Sequence, residues 1–240
     1  MLPRPAPRAR QAGGDPTTRR PDCVGSVDPV TGLLLPVPRD RLVERFGRCV
    51  GGLALFGLGA ALFIGSDLGA APWDVFHQGV AQQTGLPLGV VIQMTGLLIV
   101  ALWYPLGLRP GWATLLNAIE IGLVVMLVGH VLPDTESLVV RSSYLVIGLL
   151  CVGVGSGLYI GPGLGSGPRD GLMLGLSRGR MTVGITRTVI EVCVLLAGIA
   201  LGGTAGVGTA VFAFGIGPVV HYWMPRLRMH ALEPALSLAA

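Results

Sequence analysis

The sequence predicts an all-α integral membrane protein: six transmembrane helices arranged as two inverted three-helix repeats, with a short half-helix after each of two G-x-x-P-x-D motifs. Three observations carry this prediction. Of 240 residues, 51% are hydrophobic and only 12% are charged, and mean hydropathy is +0.69; a soluble domain carries about 25% charge. Six apolar stretches approach the length needed to cross a hydrocarbon core of roughly 30 Å, at about 1.5 Å of helix per residue. The first half of the chain also recurs in the second, 95–96 residues further on.

Taken in order, residues 1–44 open with MLPRPAPRARQAGGDPTTRRPD. This stretch is too polar and too rich in Pro, Arg and Gly to bury a core, which predicts a disordered cytoplasmic tail. It lacks the apolar segment of a signal peptide. The spans follow at about 48–66, 87–105 and 112–132, inside a first repeat over 45–135, and at about 143–162, 184–202 and 206–224, inside a second over 136–225. A short cytoplasmic tail, 226–240, closes the chain.

The basic residues test this count. All 17 are arginine, which removes Schiff-base lysines and the lysine of a phosphate-binding loop. With both termini cytoplasmic, 15 arginines fall inside, Arg141 alone falls outside and Arg187 lies within the fifth span. That bias satisfies the positive-inside rule and fits six spans with both termini cytoplasmic. Basic residues that flank apolar spans orient a membrane protein, so nucleic acid is not an expected partner. Cys23, Cys49, Cys151 and Cys193 show no C-x-x-C and no Cys/His spacing, so neither a metal, a cofactor nor a disulfide framework is expected. GPGLGSGPRDG at 161–171 lacks the register and lysine of a nucleotide loop.

Residues 53–79 align without gaps on 149–175, and 11 of the 27 positions are identical, among them Gly69/Gly165, Pro72/Pro168 and Asp74/Asp170. After one deletion Gly89 pairs with Gly184, Gly111 with Gly206, Thr114 with Thr209 and Gly122 with Gly217. Each copy holds three spans, an odd number, so tandem copies insert in opposite senses. That is a common transporter architecture. After each Pro-x-Asp comes a stretch long enough for a half-helix and too short to span. Proline at the first helical position followed by aspartate suits a helix N-terminus, as a cap or as part of a binding site. Glycines four residues apart, Gly47/Gly51, Gly153/Gly157/Gly161, Gly171/Gly175/Gly179 and Gly198/Gly202/Gly206, predict close helix packing.

With these motifs in view, the chain resembles the YczE/YyaS/YitT family of bacterial multipass membrane proteins, the YczE branch most. The resemblance covers about 45–225 and rests on LGAAPWDVFHQG (68–79), GLYIG (157–161), GPRDGLM (167–173), RTVIE (187–191), GGTAGVGT (202–209) and IGP (216–218). It implies an integral protein of the bacterial plasma membrane. The long Arg/Pro-rich N-terminal extension departs from the pattern. So does Ala113, which stands where P-G-x-G-T would place a second glycine and speaks against close backbone approach at that turn.

Charged groups within apolar spans cost roughly 2.5–3.5 kcal/mol on insertion scales and call for a role. Arg187 and Glu191, four apart, are placed to pair on one helix face, either simply to lower their insertion cost or as a pair that faces a central cavity with Arg169 and Asp170. Asn117 and Glu120, three apart on the third span, share a face. Gln93, His77 and His221 are weaker candidates, since a histidine near a span end is more often structural than a ligand. The expected substrate site is therefore Asp74, Asp170, Trp73, Arg169, Arg187, Glu191, Asn117 and Glu120. The expected function is a small-solute transporter or permease in which the aspartates orient the half-helices or hold a proton or cation. The alternative is an accessory protein that binds a membrane partner or a second copy of itself. No H-E-x-x-H is present, and no catalytic residue and no enzyme activity are expected.

Overall fold

The computed structural model describes residues 34–35, 37–38, 40–177 and 182–229. Among these, eight helices follow one another: α1 (Leu42–Gly65), α2 (Pro72–Thr84), α3 (Leu88–Trp103), α4 (Trp112–Val131), α5 (Leu138–Ile160), α6 (Pro168–Leu176), α7 (Val183–Ala200) and α8 (Val207–Leu227). Helices α1, α4, α5, α7 and α8 are long and apolar enough to cross a membrane. Helices α2 and α3, bent by 114° where they meet, make one further broken span or a re-entrant loop. Most of the expected 1–44 tail, with Cys23, and Arg178, Gly179, Arg180 and most of the 226–240 tail lie outside the described residues, while α1 begins at Leu42, inside the expected tail. The chain is held from Leu35 onward, earlier than expected: the Leu35 N–H donates to the Pro110 carbonyl at 3.0 Å, and Val37 packs on the core. The apolar side chains of Leu35 and Val37 supply that burial.

Both short helices form for the reason their sequences give. Pro72 and Pro168 occupy the first turns of α2 and α6, where the missing N–H has no intrahelical acceptor to lose. Gly85, at φ 70°, ends α2 in the left-handed region, and Pro87 starts the next helix without continuing the last. Helices α5 to α8 begin 96, 96, 95 and 95 residues after α1 to α4. Contacts follow the same exchange. Helix α1 packs on α4 as α5 packs on α8, and α2 packs on α7 as α6 packs on α3.

The central seam is α1 against α5. Gly52 meets Gly155 and Gly59 meets Gly148, so close that a Cβ at any of the four would fall within about 3 Å of the partner's carbonyl. The seam therefore uses a seven-residue spacing, whereas Gly47 and Gly51 of the predicted four-residue stripe face open space. Gly153, Gly157 and Gly161 do meet a neighbour, Val219 and Leu227 of α8. Arginines clasp the seam at both ends. Buried Arg45 donates to the Pro162 carbonyl at the end of α5 (2.5 Å), to the Asp40 carbonyl (2.9 Å) and to its carboxylate (2.7 Å). Arg141 donates to the Ser66 carbonyl at the end of α1 (2.7 Å) and to Asp67. Each guanidinium thus meets unpaired carbonyls at the negative end of the other helix, where a cation is stabilising.

The loops ahead of the half-helices dock on opposite halves. Gly69 (φ 109°) lies against the start of α8, and Gly165 (φ 126°) against the start of α4. The Gly208 N–H donates to the Leu68 carbonyl at 2.7 Å, and the Ala113 N–H to the Leu164 carbonyl at 3.1 Å. The expectation that Ala113 would keep the backbones apart is thus not met. Close approach falls on Gly111, where a Cβ would strike the Leu164 carbonyl, and the Ala113 side chain is simply buried beside it.

Candidate functional site

The docked loops aim the first turns of α2 and α6 at one another. Between them lies a cavity of about 560 Å³ bounded by every helix of the bundle. Trp73, Asp74, Asn117, Arg169, Asp170, Arg187 and Glu191 all line it. Glu120 does not: it is half-buried on α4 near Cys49 of α1. Three residues along a helix is about 300° of rotation, and here that offset carries Glu120 past the cavity edge that Asn117 reaches.

Trp73 and Arg169 occupy equivalent positions in the two halves and touch each other. The Arg169 guanidinium lies 4.9 Å from the centroid of the Trp73 ring, and its Nη2 is 4.0 Å from Asp74 Oδ1. A cation over indole is attracted by the ring quadrupole, so this contact ties α6 to α2. Asp74, only 8% exposed, has a further neighbour in His77 Nδ1 at 3.4 Å. The Trp73 indole N–H is buried and has no acceptor among the described residues.

Around Asp170 the partners differ. Its Oδ2 is 3.4 Å from the Tyr159 hydroxyl, which donates to it, and it also accepts from the Gly167 N–H. Asp170 therefore satisfies the helix start, as a capping reading expects, while facing the cavity. A Cβ at Gly167 would lie 2.8 Å from Tyr159 Oη and 3.5 Å from Asn117 Nδ2, so hydroxyl, carboxylate and amide converge there. Arg187 and Glu191 form the expected ion pair on α7, 3.4 Å apart. The walls between these groups are apolar, with Phe56 set edge-on to Tyr159 and Phe63 edge-on to Phe212. The cavity thus offers two guanidinium groups, three carboxylates and several neutral polar groups inside an apolar sleeve. Such a site can hold and orient a small polar solute.

The two ends of the cavity differ. Helices α3 and α4 are in close contact, with Gly89 and Gly122 each packed on the other's backbone. Helices α7 and α8 stand apart, and the equivalent Gly184 and Gly217 have open space where a Cβ would project. Gly217 and His221 line the resulting mouth.

Residues 43–225 match a family of unknown function, DUF6198. The chain belongs to this family. Among its relatives, an uncharacterised protein of Haemophilus influenzae is 39% identical over 72% of this chain and 79% of its own. The Bacillus subtilis membrane protein YczE is 32% identical over 78% of this chain and 89% of its own, and YyaS of the same organism 27% identical over 76% and 93%. These relatives agree with the YczE/YyaS resemblance read from the motifs, and a membrane location follows from YczE together with the apolar helices. No solved structure matches the chain.

Sequence reasoning passed over Tyr159 and Ser156, which line the cavity from α5, and gave His77 little weight. Tyr159 was visible as the one hydroxylated aromatic in the glycine-rich 148–161 run. His77 is neither interfacial nor satisfied: it is wholly buried, and neither ring nitrogen makes a hydrogen bond that meets ordinary geometry. Gln93 is structural, its amide donating to the Ile119 carbonyl of α4 at 2.8 Å.

Proposed function

We propose that the protein is a small-solute transporter of the bacterial inner membrane, built from two inverted three-span repeats with both termini cytoplasmic, and that it works by alternating access. The observation that carries this reading is the unequal pair of glycine contacts. Gly89 and Gly122 close α3 on α4, while Gly184 and Gly217, 95 residues further on, leave α7 and α8 parted beside the cavity. Two equivalent helix pairs in unequal states are what rocking of one repeat against the other requires. In the positive-inside orientation the parted pair opens toward the cytoplasm. Closing α7 on α8 and separating α3 from α4 would exchange the two mouths.

In this reading Asp74, Asp170 and Glu191 accept a proton, a cation or the donor groups of the solute. Arg169, Arg187, Asn117 and Trp73 donate to it. The site binds and does not catalyse. A partner-binding subunit would need no polar cavity reaching both aspartates, which is why transport is preferred.

The test is thiol accessibility in a background lacking the native cysteines. Single cysteines at positions 74 and 170 should both react with a membrane-impermeant reagent from the cytoplasmic side, because both line one cavity. The reading fails if position 74 reacts only from outside and position 170 only from inside, or if neither reacts while a cysteine at 228 does.

A further inference from the structure

His77 is the largest debt in the bundle interior that the transport reading leaves unexplained. It has no exposed surface, and neither ring nitrogen has a hydrogen-bond partner of good geometry. Buried polar groups of this kind are rare and usually mark a functional constraint. Asp74 Oδ1 lies 3.4 Å from His77 Nδ1, and the same oxygen is 4.0 Å from Arg169 Nη2. Asp74 lines the cavity and His77 does not, so water reaches the pair through the carboxylate.

We propose that Asp74 and His77 form a proton-binding pair filled from the cavity, and that proton binding loosens Arg169 from Asp74. This deepens the transport reading and rests on it, because the proton must enter from the cavity. A proton delivered from cavity water to Asp74 Oδ1 passes to His77 Nδ1. A carboxylate and an imidazolium remain, joined by an N–H donating to Oδ1. The cluster of Asp74, His77 and Arg169 goes from net charge zero to plus one. The imidazolium then competes with the guanidinium for one oxygen, which weakens the tie between α2 and α6. Proton binding is thereby coupled to the contact that holds the two half-helices together.

Among the described residues, the charged groups acting on His77 are Asp74 on its own helix and Arg169 from α6. Helix α3 has no titratable residue along Leu88–Trp103. On α7, Arg187 and Glu191 line the cavity and pair with each other, and Cys193 is exposed. The device exists in one half only: the counterpart of His77 is Met173 and the neighbour of Asp170 is Tyr159. One such aspartate–histidine pair per chain follows.

The measurement is NMR of histidine-labelled protein in lipid nanodiscs as pH is varied, with the His77 ring signal assigned from H77Q. His77 is expected to pass through a one-proton transition as pH is lowered. In D74N the midpoint should move to lower pH by about one unit or more, because the carboxylate that favours the imidazolium is gone. In R169Q it should move the opposite way, and in E120Q, outside the cavity, it should stay in place. R169Q carries the test if D74N does not fold. A His77 signal that stays fixed over the whole pH range in which the protein remains folded, or a midpoint indifferent to both neighbours, overturns the proposal. If cysteines at 74 and 170 label as expected while His77 does not titrate, only the proton pair fails. If His77 titrates but the cysteines are unreachable, the cavity reading fails.

Discussion

Arg45 and Arg141 hold opposite ends of the α1–α5 seam in different surroundings, and that difference gives a graded prediction. The Arg45 side chain is 2% exposed and its ion-pair partner Asp40 22%. R45A would leave the Pro162 carbonyl and the Asp40 carboxylate without their donor in a site water scarcely reaches. Breaking a buried ion pair from one side costs about 3–5 kcal/mol. At the other end Arg141 is 23% exposed and Asp67 75%. Water replaces much of what R141A removes, so the cost there is about 1–2 kcal/mol. At roughly 2–4 °C per kcal/mol for a chain of this size, R45A should melt about 6–20 °C below the parent and R141A about 2–8 °C below. R45K, which keeps the charge but loses the two-pronged geometry, should fall between R45A and the parent. Thermal unfolding in detergent micelles, with size-exclusion to confirm a monodisperse sample, reads these shifts. The reasoning is refuted if R141A costs as much as R45A, or if R45A melts within about 2 °C of the parent.

Other consequences are equally direct. G69A and G165A each place a Cβ on a backbone with positive φ and against the opposite half, at 2.7 Å from Gly206 Cα and 2.9 Å from Gly111 Cα respectively. Strain alone costs about 1–3 kcal/mol, so both variants should show markedly less folded protein by fluorescence-detected chromatography, and equal yields would contradict the docking. A double-mutant cycle on W73A and R169A should return a coupling of about 0.5–2 kcal/mol in thermal stability, between the values for an exposed and a desolvated cation over indole. A coupling near zero would show that the two residues do not hold α2 to α6. Replacing Tyr159 by Phe removes the hydroxyl at Asp170 and should lower stability by about 1 kcal/mol. A loss no larger than that of a surface substitution would mean the hydroxyl makes no useful bond there.

Much of this was legible in the sequence because it depends on local chemistry. Helix ends fall within about six residues of the expected spans, since hydropathy and proline placement set them without reference to neighbours, but α3 is long enough to count as a span only together with α2. The half-helices were foreseen for the same reason: Pro72 and Pro168 begin a helix, and the apolar stretch behind each is too short to span. Seven of the eight candidate site residues line one cavity, because charge inside an apolar span has few places to go. What stayed hidden depends on partners. Whether Glu120 turns toward the cavity or toward α1 is decided by the rotation of α4 against its neighbours. Arg45 and Arg141 are 96 residues apart and so occupy equivalent positions, yet the ungapped match begins at Leu53, and an arginine near a span end reads as an orientation signal. The isolation of His77 could not be foreseen, because an unsatisfied ring is a property of everything packed around it.

The central claim is that α7 and α8 close where they now stand apart, and a cross-link tests it most directly. With Cys23, Cys49, Cys151 and Cys193 replaced, cysteines at positions 184 and 217 would be introduced together and oxidised in native membranes. The account predicts that the pair links on exposure to oxidant, and that the linked protein no longer admits a thiol reagent to a third cysteine at position 170 from the cytoplasmic side. The account is contradicted if the two cysteines each react singly with thiol reagents yet never link, because the mouth beside the cavity would then be a fixed opening.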